Sequence, residues 1–283
     1  MNRDLKTTMI SVFIAAGVIY VAVVAFIYVF QRNMIYYPAS PKPTRVQSRV
    51  ADMKEVPITT EDGLDLFAWY APPKDPAKPT VVIFHGNAGT LGERGYKARM
   101  FLDAGFGAML VEYRGYSGNP GKPTEQGLYA DARAALGYLG LQGVKGDHTV
   151  LYGESLGTGV ATAMAWEAQQ NANPVAGLIL EAPFTSIVEV AASHYPFLPV
   201  GMLMKDRFNS RKRIGGVYAP LLIVHGEKDR TVPVKFGKRL FDAANAPKES
   251  MWIADASHND LFDFGAGDQM LNFLARHFAP APQ

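Results

Sequence analysis

The 283-residue chain contains no cysteine. That absence excludes disulfides, thiolate metal sites, a cysteine nucleophile and an acylated lipoprotein cysteine. Net charge is scarce as well, at +2 overall, with charged residues making up 19% of the chain. Such a chain projects no field that would recruit nucleic acid, and no basic stripe interleaved with aromatics occurs. No H-E-x-x-H metal motif and no phosphate loop is found, and the G-x-G of Gly157 and Gly159 lacks the third glycine of a dinucleotide site. Neither a metal nor an organic cofactor is expected. Repeats and low-complexity tracts are missing too.

What is present begins with an uncharged run over residues 9–30. As a helix it is about 33 Å long, enough to cross a hydrocarbon core of roughly 30 Å. It is apolar all round, whereas a core helix carries a polar stripe. A cleaved signal peptide calls for a shorter run ending in a small-x-small site, and this run ends in Tyr28, Val29, Phe30, Gln31 and Arg32. Residues 1–31 are therefore read as an uncleaved single-span anchor. Arg3 and Lys6 precede the span, and Arg32, Lys42, Arg45 and Arg49 follow it. By the positive-inside count the following part leans cytoplasmic, while the leading charges lie closer to their end of the span, so both orientations stay open. Residues 32–50, with three prolines, read as a semi-extended linker.

From residue 51 the pattern is that of a folded domain, and 48% hydrophobic residues overall allow a sizeable core. Residues 53–59 and 64–70 flank Glu61-Asp62-Gly63 and predict an antiparallel hairpin. Apolar runs then recur at 80–84, 106–113, 148–153, 175–182, 219–226 and 249–256. Near-continuous apolar strands suit a parallel sheet covered on both faces. Helical segments fall between them at 92–104, 124–139, 156–169 and 233–244, with a last one at 266–278. The rhythm predicts one α/β domain with helices on both faces, and in such sheets sites lie at the carboxyl ends of strands.

One strand end carries a serine flanked by glycines. In G-E-S-L-G, Ser155 has Gly153 two residues before it and Gly157 two after. A strained strand-to-helix turn that lifts the hydroxyl clear of the sheet leaves no room for side chains at those positions. Ser117 lacks the second glycine and is not such an elbow. A serine hydroxyl needs a base. Of six histidines, only His258 lies in the loop directly after the last predicted strand, among small residues that let that loop turn back. Asp229, just after the penultimate strand, completes the order serine, acid, histidine, ahead of its rivals Glu227 and Asp260. His225, at the end of a buried strand, reads as a packed, hydrogen-bonded core group. Small residues after the strand 80–84 suit an oxyanion site built from the backbone N–H groups of Asn87 and Leu156.

The chain at this point resembles the α/β-hydrolase superfamily, and within it the membrane-anchored, short-lid serine hydrolases of the ABHD and serine-aminopeptidase-like group. The likeness rests on HGNAG (85–89), YRGYSG (113–118), GESLGTG (153–159), APFTS (182–186), HGEKDRTVP (225–233) and SHND (257–260). It implies a hydrolase domain over residues 51–283 in a single-pass protein of a bacterial plasma membrane. It also implies attack by Ser155 on an acyl carbonyl and an acyl-enzyme resolved by water. The expected substrates are carboxylic esters or thioesters of lipidic acyl groups. A peptidase is the alternative, calling for groups that hold an amino terminus. A catalytically inactive binding module on the same fold is the reading from another class.

Residues 184–218 form the lid. Its shortness predicts an accessible, shallow site. It joins an apolar cluster, from Phe197 to Met204, to the cations Arg207, Arg211, Lys212 and Arg213. Two readings follow: a helix packed over the site with a solvated basic flank, or a segment facing the bilayer with its cations at headgroups.

Overall fold

The computed structural model describes residues 3–278. Residues 1–2 and 279–283, assigned above to the anchor and the hydrolase domain, lie outside the described residues, as do the side chains of Arg3 and Lys6. Eight strands form one sheet: β1 (Lys54–Thr59), β2 (Asp65–Ala71), β3 (Thr80–Phe84), β4 (Gly107–Val111), β5 (Thr149–Glu154), β6 (Gly177–Glu181), β7 (Leu221–Gly226) and β8 (Lys248–Ile253). Their order across the sheet is β1-β2-β4-β3-β5-β6-β7-β8. β1 and β2 form the antiparallel hairpin, β2 runs antiparallel to β4, and every later pairing is parallel.

Alternation along each strand feeds two cores. On β3, Val82 and Phe84 face one core while Val81 and Ile83 face the other; on β7, Leu221 and Ile223 oppose Leu222 and Val224 in the same way. The first core is closed by α3 (Glu125–Leu141), α4 (Leu156–Gln170) and α8 (Val234–Ala243), which supply Leu128, Val160, Met164, Phe236 and Leu240. The second is closed by α2 (Gly95–Asp103) and α9 (Ala266–Phe278), through Phe101, Leu102, Met270 and Phe273. A strand buried on both faces must be apolar at every position, which is why these strands read as continuous apolar runs.

The first helix, α1 (Arg3–Ile35), is longer than the uncharged run alone. Among the described residues it is the helix long and apolar enough to cross a membrane, and its most apolar stretch is not buried against the protein. The segment after it is packed rather than free. Tyr37 and Pro38 pair in parallel with Ala88 and Gly89, and Tyr36, Val50 and Met53 are buried. The segment lies so close to α2 that a β-carbon at Gly95 would sit 2.0 Å from the carbonyl oxygen of Ser48. Its first residues continue α1 to Ile35, and residues 45–49 form turns in which the Ser48 amide donates to the Thr44 carbonyl at 3.1 Å and the Val50 amide to the Arg45 carbonyl at 2.9 Å.

The lid holds three short helices: α5 (Ile187–His194), α6 (Val200–Leu203) and α7 (Ser210–Ile214). Ser186 and Asn209 cap the first and last of them, accepting from the amides of Glu189 and Lys212. Arg211 and Lys212 are exposed, but Arg213 turns inward to donate to Tyr129 Oη at 3.0 Å. The basic flank is thus solvated only in part.

Candidate active site

β5 runs into Ser155, whose backbone sits at φ 49°, ψ −113°, and α4 starts at the next residue. A non-glycine residue there is strained and persists only because its surroundings dictate the geometry. Those surroundings are tight. A β-carbon at Gly153 would lie 2.5 Å from the Gly157 carbonyl oxygen, and one at Gly157 would lie 2.0 Å from the Phe84 carbonyl oxygen. A side chain at either position would collide with backbone.

His258 sits in the loop after β8. Asp260, its near neighbour, accepts from the Ser257 amide at 2.7 Å and the Ser257 hydroxyl at 2.8 Å, which shapes the turn. Close approach of this loop to the end of β7 needs Gly226, where a β-carbon would meet the Ala256 oxygen at 2.3 Å. His258 Nε2 lies 2.9 Å from Ser155 Oγ, and its Nδ1 lies 2.7 Å from Asp229 Oδ2. An ionised Asp229 accepts from Nδ1–H, which leaves Nε2 free to accept from the serine hydroxyl. Asp229 is fixed in turn by the amides of Thr231 and Val232, both at 2.8 Å to Oδ1. Burial by itself raises the Asp229 carboxyl. Hydrogen bonds from His225 and His258, the His258 charge and the Val232 amide outweigh that and hold it well below the usual carboxylate range. Glu227 pairs with Lys238 at 2.7 Å instead.

Asn87 and Leu156 both line the cavity beside Ser155. Neither backbone N–H donates to another group among the described residues. The Leu156 amide belongs to the first turn of α4, where helix donors are unpaired and the dipole favours negative charge. The Asn87 loop is held from three directions: its carbonyl accepts from the Tyr37 amide at 2.9 Å and from Tyr116 Oη at 2.7 Å, and its side chain donates to the Ile35 carbonyl at 2.8 Å. Behind it, buried Glu112 lies 2.8 Å from His85 Nε2 and accepts from Ser117 Oγ at 2.5 Å and from the Leu91 amide at 3.0 Å.

A cavity of about 490 Å³ opens in front of Ser155. Phe184, Ile187, Val190 and Leu198 form its lid side, and Val23, Ile27, Met34 and Ile35 of α1 form a facing wall. No acidic side chain lines it among the described residues. The shallow site expected from a short lid is therefore deepened by the first helix.

A family profile described as serine aminopeptidase, S33, matches residues 75–209. An uncharacterized protein of Mycobacterium tuberculosis is 39% identical over 97% of this chain and 94% of its own length. A lysophosphatidylserine lipase, ABHD12, of Danio rerio is 33% identical over 64% of this chain and 51% of its own length, so the chain spans about half of that relative. The chain belongs to the α/β-hydrolase superfamily, in the serine aminopeptidase S33 family. Among solved structures, the Pyrococcus furiosus esterase Pf2001 superposes with a TM-score of 0.68 at 18% identity, covering 87% of this chain and all of that one. At that identity the likeness concerns the fold.

Three features of this hydrolase were not anticipated from its sequence. His225 is the packed, hydrogen-bonded core group expected, but its partner was not foreseen: Nε2 lies 3.1 Å from Asp229 Oδ2, as well as 2.8 Å from the Val232 carbonyl oxygen. Glu154, directly before the serine, is held by Arg94 at 2.6 Å and Lys97 at 2.7 Å, and Lys97 also reaches Glu181 at 2.7 Å. Burial raises the Glu154 carboxyl, but the charges of Lys97 and Arg94 win and hold it low. The third is the cavity wall from α1.

Proposed function

We propose that the chain is a membrane-anchored serine hydrolase that cleaves carboxylic esters or thioesters of lipidic acyl groups. The observation that carries this reading is the Ser155–His258–Asp229 chain of contacts, at 2.9 and 2.7 Å, opening on an apolar cavity. Ser155 Oγ attacks the acyl carbonyl carbon as its proton passes to His258 Nε2, and Asp229 stabilises the imidazolium without taking the proton. The oxyanion is received by the N–H groups of Asn87 and Leu156, each such donor contributing about 10²–10³ in rate. Collapse breaks the bond to the alcohol or thiol, which leaves with the proton from His258. Water then attacks the acyl-enzyme with His258 as base, releasing the carboxylic acid and restoring Ser155.

Residues 1–31 serve as an uncleaved anchor and residues 51–283 as the hydrolase domain, with 32–50 as a docked strap between them. The contacts of α1 with the lid and with Asn87 support retention of the helix, since cleavage would strip one wall from the cavity. The bacterial relative, and the names of the zebrafish lipase and the archaeal esterase, are in keeping with an ester-cleaving enzyme of a bacterial membrane. An aminopeptidase calls for groups that hold an ammonium, and among the described residues the cavity lining supplies no carboxylate.

The test is labelling by a fluorophosphonate probe in detergent, wild type beside Ser155→Ala, followed by turnover of acyl esters and thioesters of graded chain length. Labelling of the wild type alone, with hydrolysis that rises with chain length, is expected. Absence of labelling in a folded wild type would overturn the reading, and release of aminoacyl amides in preference to esters would favour the peptidase.

A further inference from the structure

Two uncharged segments far apart in sequence end at the same level of the structure. On α1 the uncharged run ends at Gln31 and Arg32; on the lid, residues 195–204 are uncharged and the run ends at Lys205 and Asp206. The two ends are locked together. Arg32 donates to both carboxylate oxygens of Asp206, at 2.8 and 3.1 Å. Gln31 donates to the Leu203 carbonyl at 3.0 Å and accepts from the Lys205 amide at 2.7 Å. Lys205 Nζ lies 4.3 Å from the centre of the Tyr28 ring.

Beyond this clasp, on the side toward the amino terminus of α1, the lid stays beside the helix. Tyr20 Oη donates to the Phe197 carbonyl at 3.0 Å, about 18 Å along the helix axis from Arg32 at 1.5 Å per residue. The lid surface there is apolar, with Phe197 68% and Met202 84% exposed, and the Arg207 guanidinium donates to the Gly201 carbonyl next to Met202. A helix crossing a bilayer places its first charged residues at the headgroups and its uncharged run in the hydrocarbon. If Arg32 is at the headgroups, a lid clasped to it at Asp206 carries its own uncharged stretch into the hydrocarbon as well. A polar carbonyl at that depth needs a donor, and Tyr20 supplies one.

From this we infer that residues 195–204 are immersed in the bilayer beside α1. The seam between lid and helix is then a lateral mouth through which the acyl chain of a bilayer lipid reaches Ser155. The mouth leads into the cavity whose walls are Val23 and Ile27 on one side and Val190 and Leu198 on the other. The first helix is thereby part of the acyl-binding surface as well as an anchor. This inference rests on the proposed lipid hydrolase for its substrate, while the immersion of the lid stands on the charge boundaries and the clasp alone.

The absence of cysteine makes the test direct. Met202→Cys and Arg211→Cys are each labelled with a fluorophore in the full chain reconstituted into phosphatidylcholine–phosphatidylglycerol vesicles. The label at position 202 is quenched by nitroxides on lipid acyl chains and shielded at least fivefold from aqueous iodide relative to position 211. Equal iodide quenching at both positions would overturn the immersion. Turnover is read in the same vesicles with Ile27→Trp, which narrows the α1 wall while keeping the helix apolar. The ratio of hexadecanoyl to butanoyl ester turnover falls about tenfold; an unchanged ratio would remove α1 from the acyl path. A wild type that neither labels with fluorophosphonate nor hydrolyses any ester would sink the hydrolase reading instead, and the quenching result would still decide the position of the lid.

Discussion

His225 Nε2 lies 3.1 Å from Asp229 Oδ2, the same oxygen that accepts from His258. His225 is fully buried at the end of β7, and a β-carbon at Gly237 of α8 would approach its Nδ1 to 2.4 Å, so the ring has no second place to go. It acts on the reaction only through Asp229 and is a positioning residue. His225→Leu removes the ring donor and lets the carboxylate swing. The expected loss in kcat/KM on a short ester is about 10- to 100-fold, the scale of a small misplacement of a reacting group. Asp229→Asn, which gives His258 the wrong tautomer, should lose about 10⁴-fold. Fluorophosphonate labelling of His225→Leu should be slowed but reach completion. Wild-type rates in a folded His225→Leu protein would remove the residue from the machinery.

Gly157 tests whether the elbow is a matter of space. Its missing side chain admits the Phe84 carbonyl oxygen, which would be 2.0 Å from a β-carbon. Gly157→Ala must therefore push β3 and α4 apart beside Ser155. Overpacking of this kind destabilises by about 1–3 kcal/mol or more. The expected result is a lower unfolding temperature in detergent together with loss of fluorophosphonate labelling. Ser155→Ala, which removes only a hydroxyl, should hold its unfolding temperature. A Gly157→Ala protein that labels like wild type would show that the elbow has slack.

Much of this architecture was legible from residue types alone, for a physical reason. A strand buried on both faces has no choice of polarity, so Thr80–Phe84 and Leu221–Gly226 stand out as apolar runs in the chain itself. Gly153, Ser155 and Gly157 were likewise readable because the constraint is local: two glycines give room to one turn. The wall from α1 was not readable. Val23 and Ile27 are indistinguishable in type from the neighbours that face outward, because a helix apolar all round carries no stripe to mark a contact face. The partner of Arg32 is Asp206, and nothing local to either residue announces the other. The strap over residues 32–50 was hidden for a related reason. Its prolines signal extension, but whether the segment docks depends on a distant Gly95 that leaves it room.

Acid should weaken the fold through the carboxyl groups held low. Asp229 and Glu154 titrate below their ordinary range in the folded chain, because hydrogen bonds and neighbouring cations outweigh the effect of burial. A depressed carboxyl binds its proton less readily folded than unfolded. Its contribution is present above the unfolded value of about 4 and is lost as pH falls through that value toward the folded one. Thermal unfolding followed from pH 7 to pH 3 should show a steep fall below about pH 5 in the wild type. Asp229→Asn removes one such group and should flatten the slope. A slope as steep as that of the wild type would mean that Asp229 gains nothing on folding.

The last prediction concerns Lys97, buried beneath the elbow between two carboxylates. Its ammonium lies 2.7 Å from Glu154 Oε2 and 2.7 Å from Glu181 Oε2, and Tyr152 Oη also donates to Glu181. Burial lowers the Lys97 ammonium, but the charges of Glu181 and Glu154 outweigh it and raise the group above its ordinary value, so it stays charged. Lys97→Met preserves the length of the stem and removes the charge. Glu154 keeps Arg94, but Glu181 is then left as a buried carboxylate with only the Tyr152 hydroxyl. Breaking a buried pair from one side destabilises by about 3–5 kcal/mol, because the stranded charge has no compensation. Neutralising that charge should restore part of the loss, so Lys97→Met combined with Glu181→Gln is expected to be more stable than Lys97→Met alone. The Ser155 amide donates to the Glu181 carbonyl at 2.9 Å, so the same damage should reach the nucleophile and slow fluorophosphonate labelling in the single variant more than in the double. Unfolding temperatures of the wild type, both single variants and the double variant close the cycle, with a coupling of about 0.5–3 kcal/mol expected for groups in contact. Strictly additive effects would show that Lys97 and Glu181 stabilise the elbow independently, and the ion cluster would lose its claim to set the geometry of Ser155.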